Sequence, residues 1–125
     1  MKILTIIARV LLGLMFVVFG LNGFLHFIHG EPSGEAAKNF ATALASTGYF
    51  SVIFFFQLLG GALVLLGWVP LGLVILCPII VNILLFHVFM APEGLPVAVV
   101  VALLAAFLVW RYWENFAGIF KRRAA

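Results

Sequence analysis

Four stretches of this sequence are each long and apolar enough to cross a lipid bilayer as a helix. They span residues 3–25, 50–67, 70–91 and 95–116, and a spanning helix needs roughly 20 mostly apolar residues. Only a few residues join the second stretch to the third and the third to the fourth, so these helices must run antiparallel, side by side. The pattern predicts an all-α, polytopic integral membrane protein, in which residues 1–125 form one domain, an antiparallel bundle of four transmembrane helices.

The composition excludes a water-soluble domain. Hydrophobic residues make up 66% of the chain and charged residues only 9%, whereas a soluble chain has about 25% charged residues. The lipid bilayer is therefore the expected partner of most side chains. The first apolar stretch resembles a signal peptide, but Arg9 interrupts it and no small-residue cleavage site follows. We therefore expect this stretch to be retained as a span.

The connection between the first two spans is longer and more polar than the others. Within residues 26–49, apolar residues recur at helical spacing from Ala36 to Leu44, and Gly48 follows them. Glu35 would lie in the first turn, where a negative charge is favourable. The pattern predicts a short amphipathic helix over about 34–47, lying on the membrane surface. A loosely helical loop is the alternative.

Basic residues are concentrated at one end of the predicted bundle. Because the number of spans is even, both termini lie on the same side, and every one of the seven basic residues except Lys38 falls there. Segments on the cytoplasmic side are enriched in Lys and Arg, so both termini are predicted to be cytoplasmic. The net charge of +3 is thereby explained as a topology signal, and no nucleic-acid partner is expected. The clustered basic residues are Lys2, Arg9, Arg111, Lys121, Arg122 and Arg123.

Two charged residues fall within spans near this cytoplasmic end, where each is costly in lipid. Arg9 lies about two turns into the first span, and Glu114 lies near the end of the fourth. If these helices touch, the opposite charges can pair and offset each other's desolvation. The sequence therefore predicts a structural Arg9–Glu114 ion pair. The alternatives are a substrate-binding role and the snorkelling of Arg9 to the interface.

Uncharged polar residues and histidines gather toward the opposite, outer face. Three interpretations fit them. They could hydrogen-bond neighbouring helices and hold the bundle together, line a pocket for a small amphipathic ligand such as a quinone, or ligate a metal or haem. The third is disfavoured, because no metal-ligand spacing is present, and neither a metal site nor haem is expected. The members of this candidate cluster are Asn22, His26, His29, Gln57, Asn82 and His87.

Several short motifs resemble those of a known family. They are ARVLLGL at residues 8–14, FGLNGF at residues 19–24, TGY at residues 47–49, and the glycine pair at residues 60–61 with PLG at residues 70–72. Together with the span pattern, these motifs are similar to those of the DoxX family of small four-span bacterial membrane proteins. The resemblance covers most of the chain.

The resemblance implies a location in the bacterial cytoplasmic (inner) membrane. Relatives are linked to quinone-coupled thiosulfate oxidation and to membrane-associated thiol and oxidative-stress systems. No catalytic residue is implied. Relatives commonly carry Lys where Asn22-Gly23 stands here, and the single cysteine, Cys77, excludes a self-contained dithiol centre.

Two functions follow as hypotheses. The first is the membrane component of a quinone- or thiol-linked redox system, with a small-ligand pocket in the outer half of the bundle. Such a chain would be at most a subunit of a membrane oxidoreductase, with a soluble or membrane redox partner. The second is a non-catalytic scaffold or assembly factor, whose polar residues only hold the helices together. Both hypotheses are compatible with a homo-oligomer.

Overall fold

The computed structural model describes residues 1–26 and 34–122, which form helices joined by short turns. Four of these helices are long and apolar enough to cross a membrane, which confirms the predicted all-α, multi-pass membrane bundle. A shorter helix lies between the first and second of them, as the sequence predicted. The helices are α1 (Lys2–Leu25), α2 (Glu35–Ser46), α3 (Tyr49–Leu66), α4 (Val69–Phe89), α5 (Leu95–Arg111) and α6 (Trp113–Phe116), with 3₁₀ turns at Pro92–Gly94 and Ala117–Phe120.

The four long helices form a closed ring of neighbours. α1 packs most extensively against α3, α3 against α4, α4 against α5, and α5 returns to α1. The core between them is apolar, and Leu12, Leu73, Leu76 and Leu108 have no exposed surface. Many outward-facing apolar side chains remain exposed, which suits helices surrounded by lipid.

Glycines allow α1 and α3 to approach until their backbones touch. A Cβ added at Gly61 would lie 2.9 Å from both the Phe16 Cβ and the Val17 backbone nitrogen. The same added atom would lie 3.0 Å from the carbonyl oxygen of Gly13. On α1, a Cβ at Gly20 would lie 2.8 Å from a backbone nitrogen of α3. Small residues at such a crossing are a recurrent feature of membrane helix pairs, because packing rather than the hydrophobic effect joins helices in lipid.

The preceding glycine of α3 contacts a different helix. A Cβ at Gly60 would lie 2.6 Å from the Cγ of Leu76 on α4. On α4, a Cβ at Gly72 would lie 2.8 Å from the Gly60 carbonyl oxygen and 3.0 Å from the Val64 backbone nitrogen. α3 is therefore in close contact with two helices through adjacent residues.

The turn between α3 and α4 depends on a left-handed glycine. Gly67 has φ 106°, a conformation that residues with a Cβ rarely adopt. Its N–H donates to the Val64 carbonyl at 3.3 Å, and the Trp68 N–H donates to the Leu63 carbonyl at 2.8 Å. These bonds satisfy carbonyl groups at the end of α3 and reverse the chain directly into α4.

The last helix ends earlier than the predicted interval of 95–116. α5 stops at Arg111, Tyr112 leaves helical geometry with ψ 23°, and the short α6 follows. This break returns Phe116 to the bundle, where only 8% of its surface is exposed and it joins the core cluster. The chain therefore changes direction at Tyr112, and the apolar side chain of Phe116 is buried as a result.

The α1–α3 crossing yields a stability prediction. We expect Gly61→Ala to lower the free energy of unfolding by about 1–3 kcal/mol, since the new methyl group meets backbone atoms that have no room to move. Unfolding in mixed detergent micelles, followed by circular dichroism, measures the change. Gly118→Ala is the matched control, because a Cβ there meets no atom within 4 Å. Equal stability of the two variants would contradict the close approach.

Candidate functional site

A cavity of about 710 Å³ opens between α2, α3 and α4 at the end of the bundle away from the termini. Its volume falls within the range of about 300–1,000 Å³ that is usual for small-ligand pockets. Most of its wall is apolar and aromatic, with a few polar groups. The lining residues are Phe40, Leu44, Tyr49, Phe50, Ile53, Gln57, Ile79, Asn82, Ile83, Leu85, Phe86, His87, Phe89 and Met90.

Gln57 is the most deeply buried polar residue of this wall. Only 7% of its surface is exposed, and it is the one buried polar residue among those that the structure describes. Its side-chain amide forms no hydrogen bond with any described residue. The amide atoms are not sealed off by protein, and the surface that they keep faces the cavity. Gln57 therefore offers two unused donors and an unused acceptor at the cavity wall.

His87 is held in one ring orientation by local contacts. Its Nδ1 lies 3.0 Å from the carbonyl oxygen of Ala91, and Ala91 itself is buried. Since a carbonyl can only accept, Nδ1 must carry the hydrogen, and the neutral ring then keeps its lone pair on Nε2. The ring also rests against Gly94, where an added Cβ would lie 2.5 Å from Nδ1. His87 can thus present an acceptor through Nε2.

Asn82 uses its side chain within its own helix. Its Nδ2 donates to the Pro78 carbonyl at 3.0 Å, one turn earlier on α4, and the residue is exposed. Pro78 lies inside α4, where it cannot donate a backbone hydrogen bond. Asn82 also lines the cavity. Neither Asn82 nor His87 donates a side-chain hydrogen bond to another long helix in the described part of the chain.

The other members of the predicted cluster are not in this cavity. Asn22 and His26 are not among the lining residues, and His29 lies outside the described residues. Asn22 is half-buried and has a partner of its own. His26 is exposed at the end of α1 with φ 54°, and its N–H donates to the Asn22 carbonyl.

The physical reason for this separation is the rotation of α1. α1 faces α3 with Gly13, Gly20 and Gly23, where added Cβ atoms would meet Leu65, Leu58 and Phe54. Asn22 lies two positions after Gly20, about 200° around the helix, so it points away from α3 and from the cavity. The structure brings three of the six predicted residues together, namely Gln57, Asn82 and His87.

Arg9 and Glu114 form no ion pair in the described residues, so the predicted pair needs correction. The Arg9 Nε is buried without a hydrogen-bond partner among the described residues. Its Nη1 reaches the α3–α4 turn, 3.7 Å from where a Cβ on Gly67 would lie. Glu114 is exposed on α6. The break at Tyr112 turns the chain between α5 and α6, and Glu114 is not carried back to α1.

A second concavity, of about 490 Å³, lies along α4 and α5. Its wall is formed by apolar and aromatic side chains with Cys77, and it contains no polar group comparable to Gln57. Among the described residues, no group of three or more His, Cys, Asp or Glu side chains could hold a metal ion. The cavity at α2 is therefore the better candidate site.

The aromatic wall of the cavity was not predicted from the sequence. Phe40 on α2 lies 5.7 Å from Phe86 on α4, measured between ring centroids, and this contact joins α2 to the bundle. Phe50 and Phe54 form a further pair on α3, at 5.2 Å. The apolar face of α2, which carries Phe40 and Leu44, was the sequence feature that could have indicated it, because an apolar helix face packs against another apolar surface.

Comparisons with known proteins identify no relative. No protein-family model, no curated protein and no solved structure matches the chain. The resemblance to the DoxX family therefore stays a prediction that rests on the motifs given above.

The contact between His87 and Gly94 can be tested by NMR. We expect His87 in the native chain to show the Nδ1–H tautomer in long-range ¹H–¹⁵N spectra of ¹⁵N-histidine-labelled protein. In Gly94→Ala the methyl group displaces the ring and breaks its bond to Ala91, so the Nε2–H tautomer should gain population. The His87→Ala spectrum assigns the signal, and Gly118→Ala serves as the control. An unchanged tautomer in Gly94→Ala would refute the packing.

Proposed function

We propose that this chain is the membrane component of a redox system and binds a quinone in the cavity between α2, α3 and α4. The observation that carries the proposal is Gln57, a residue only 7% exposed that lines the cavity and whose amide has no hydrogen-bond partner among the described residues. A ligand that accepts a hydrogen bond would remove the cost of leaving this group unsatisfied.

The chemistry of the wall suits a flat, neutral and largely apolar ring. Phe40, Phe50 and Phe86 supply aromatic surface for a quinone ring to pack against. A quinone carbonyl can accept from the Gln57 amide. The hydroxyl of the reduced quinol can donate to Nε2 of His87, whose Nδ1 already binds the Ala91 carbonyl.

The role in a redox system would be to hold the quinone while a partner supplies electrons. Reduction of a quinone to a quinol takes two electrons and two protons. The chain has one cysteine, so a thiol pair serving as the electron donor would have to belong to a separate protein. The protein would thus act as a subunit, and the proposed partner is a soluble or membrane oxidoreductase.

A non-catalytic scaffold is the second candidate. It is favoured by the extensive glycine-based packing of the bundle, which needs no ligand. In that case the polar residues should contribute to stability. The local bonds of Asn82 and His87, each within a few residues of its partner, argue against a role in joining helices.

The two functions differ in what Gln57→Met should do. Methionine has nearly the same shape as glutamine but no amide. If the cavity binds a quinone, affinity for a short-chain ubiquinone should fall about fivefold, because a hydrogen bond to a neutral group contributes about 1 kcal/mol. In the ligand-free protein, the free energy of unfolding should stay the same or rise, because an unsatisfied amide has been removed.

Isothermal titration calorimetry in detergent and thermal unfolding measure these quantities. Ser51→Ala is the control, since Ser51 is exposed on the same helix and does not line the cavity. Solvent extracts of the purified native protein, analysed by mass spectrometry, should contain a quinone. No ubiquinone binding to the native protein, together with destabilisation by Gln57→Met, would favour the scaffold and reject the quinone site.

We also propose that the protein lies in a bacterial inner membrane with both termini in the cytoplasm. The excess of basic residues at the terminal side supports this orientation. Alkaline phosphatase, which is active only outside the cytoplasm, should be active when fused within residues 38–46 and inactive when fused after residue 122. The reverse pattern of activity would contradict the orientation.

A further inference from the structure

The end of the bundle that carries both termini is strongly basic, and we call it the terminal end. It comprises the start of α1, the α3–α4 turn, the end of α5 and α6. Glu114 is the only described acidic residue there, and it is exposed. The described basic residues at this end are Lys2, Arg9, Arg111, Lys121 and Arg122.

Arg9 has no counter-charge among the described residues, although part of its side chain is buried. Its Nε is enclosed and has no hydrogen-bond partner among the described residues. The Nη1 atom extends to the α3–α4 turn beside Gly67. The inner edge of the guanidinium is therefore packed against protein, while its outer nitrogens lie where the chain turns. A buried, unpaired charge is costly, and an anion at these nitrogens would reduce that cost.

Lys2 lies on the same face of α1 as Arg9. The two residues are seven positions apart, which corresponds to almost two helical turns and a rise of about 10 Å. Lys2 is exposed in the first turn of α1. Two long basic side chains therefore follow one face of α1 above the α3–α4 turn.

Arg111 at the same end is already engaged by neutral groups. Its Nε donates to the Thr5 hydroxyl at 2.9 Å, and its guanidinium lies 5.9 Å from the centre of the Trp110 ring. Thr5 is one turn from Arg9 on α1. Arg111 thus adds positive potential near Arg9 without neutralising it.

The level of Arg9's guanidinium corresponds to the membrane interface. Trp68, which follows Gly67 in the turn, is 64% exposed, and Trp110 is 60% exposed at the end of α5. Exposed tryptophans concentrate at the headgroup level of membrane proteins. Phosphate groups of lipids lie at that level, and the planar fork of an arginine can bind two phosphate oxygens at once.

From these contacts we infer that Arg9, assisted by Lys2, binds a phosphate group at the α3–α4 turn. The phosphate could belong to the headgroup of an anionic lipid or to a free phosphate ion, because the recognising chemistry is the same. The site is separate from the cavity at the opposite end of the bundle, and it does not depend on the proposed quinone function.

Thermal unfolding of the purified full-length protein in a neutral detergent tests this site. Phosphatidylglycerol, phosphatidylcholine or inorganic phosphate is titrated in separate arms. Phosphatidylglycerol should raise the melting temperature of the native protein, and Arg9→Gln should weaken its apparent affinity at least about tenfold, as expected for loss of a charge-assisted hydrogen bond. Lys121→Gln, which removes one exposed charge at the same end, should behave like the native protein.

Comparing the titrations with phosphatidylglycerol and with inorganic phosphate identifies the source of the phosphate group. Stabilisation by phosphatidylglycerol alone assigns a lipid headgroup, and equal stabilisation by inorganic phosphate assigns the free ion. Equal losses in Arg9→Gln and Lys121→Gln would show only a diffuse charge effect and would overturn the site. If Arg9→Gln does not fold, Lys2→Gln replaces it, with an expected loss of about fivefold. A Lys2→Gln protein that binds like Lys121→Gln would then reject the inference.

Discussion

Backbone contact at the Gly60-Gly61 pair of α3 is the constraint on which the rest of the structure depends. Helices in lipid gain little from burying apolar surface against each other, so close packing must join them. Gly61 lets α1 approach until a Cβ would meet Phe16 and Val17, and Gly60 does the same for Leu76 of α4. Adjacent residues point about 100° apart on a helix. One pair of glycines therefore allows two neighbouring helices, α1 and α4, to pack closely against two faces of α3.

This arrangement decides which polar side chains can meet. Gln57 lies one turn before Gly61 on α3 and lines the cavity together with residues of α4 and of the covering helix α2. α2 contributes Phe40, which lies against Phe86, and the short Pro92–Gly94 turn places Gly94 against the ring of His87. A cavity with an unsatisfied amide at its wall is thus a consequence of how three helices share α3. Asn22 on α1 lies about 200° around that helix from Gly20, which faces α3, and so it points away from the cavity.

The elements that follow from local sequence were predictable, and those that depend on helix rotation were not. Hydropathy and length placed the four spans. The apolar face of the segment over 34–47 predicted α2. No sequence pattern states how α1 is rotated about its axis against α3, so Asn22 and His26 were grouped with Gln57. The Arg9–Glu114 pair failed for a similar reason, because a helix end at Arg111 rather than at residue 116 depends on the burial of Phe116.

Gln57 and Arg9, the polar groups on which the two proposals rest, lie at opposite ends of the bundle and differ in the ligands that could satisfy them. Gln57 is neutral, so the cost of leaving it unpaired is small enough for a folded protein to bear, and a neutral carbonyl compound can relieve that cost. Arg9 carries a full positive charge. It must therefore remain near the interface, where water, lipid phosphate or another anion can reach its outer nitrogens. Part of each side chain is packed against protein and part remains accessible. Because Gln57 is neutral and Arg9 is positively charged, the accessible part of Gln57 suits a neutral ring and that of Arg9 suits an anion.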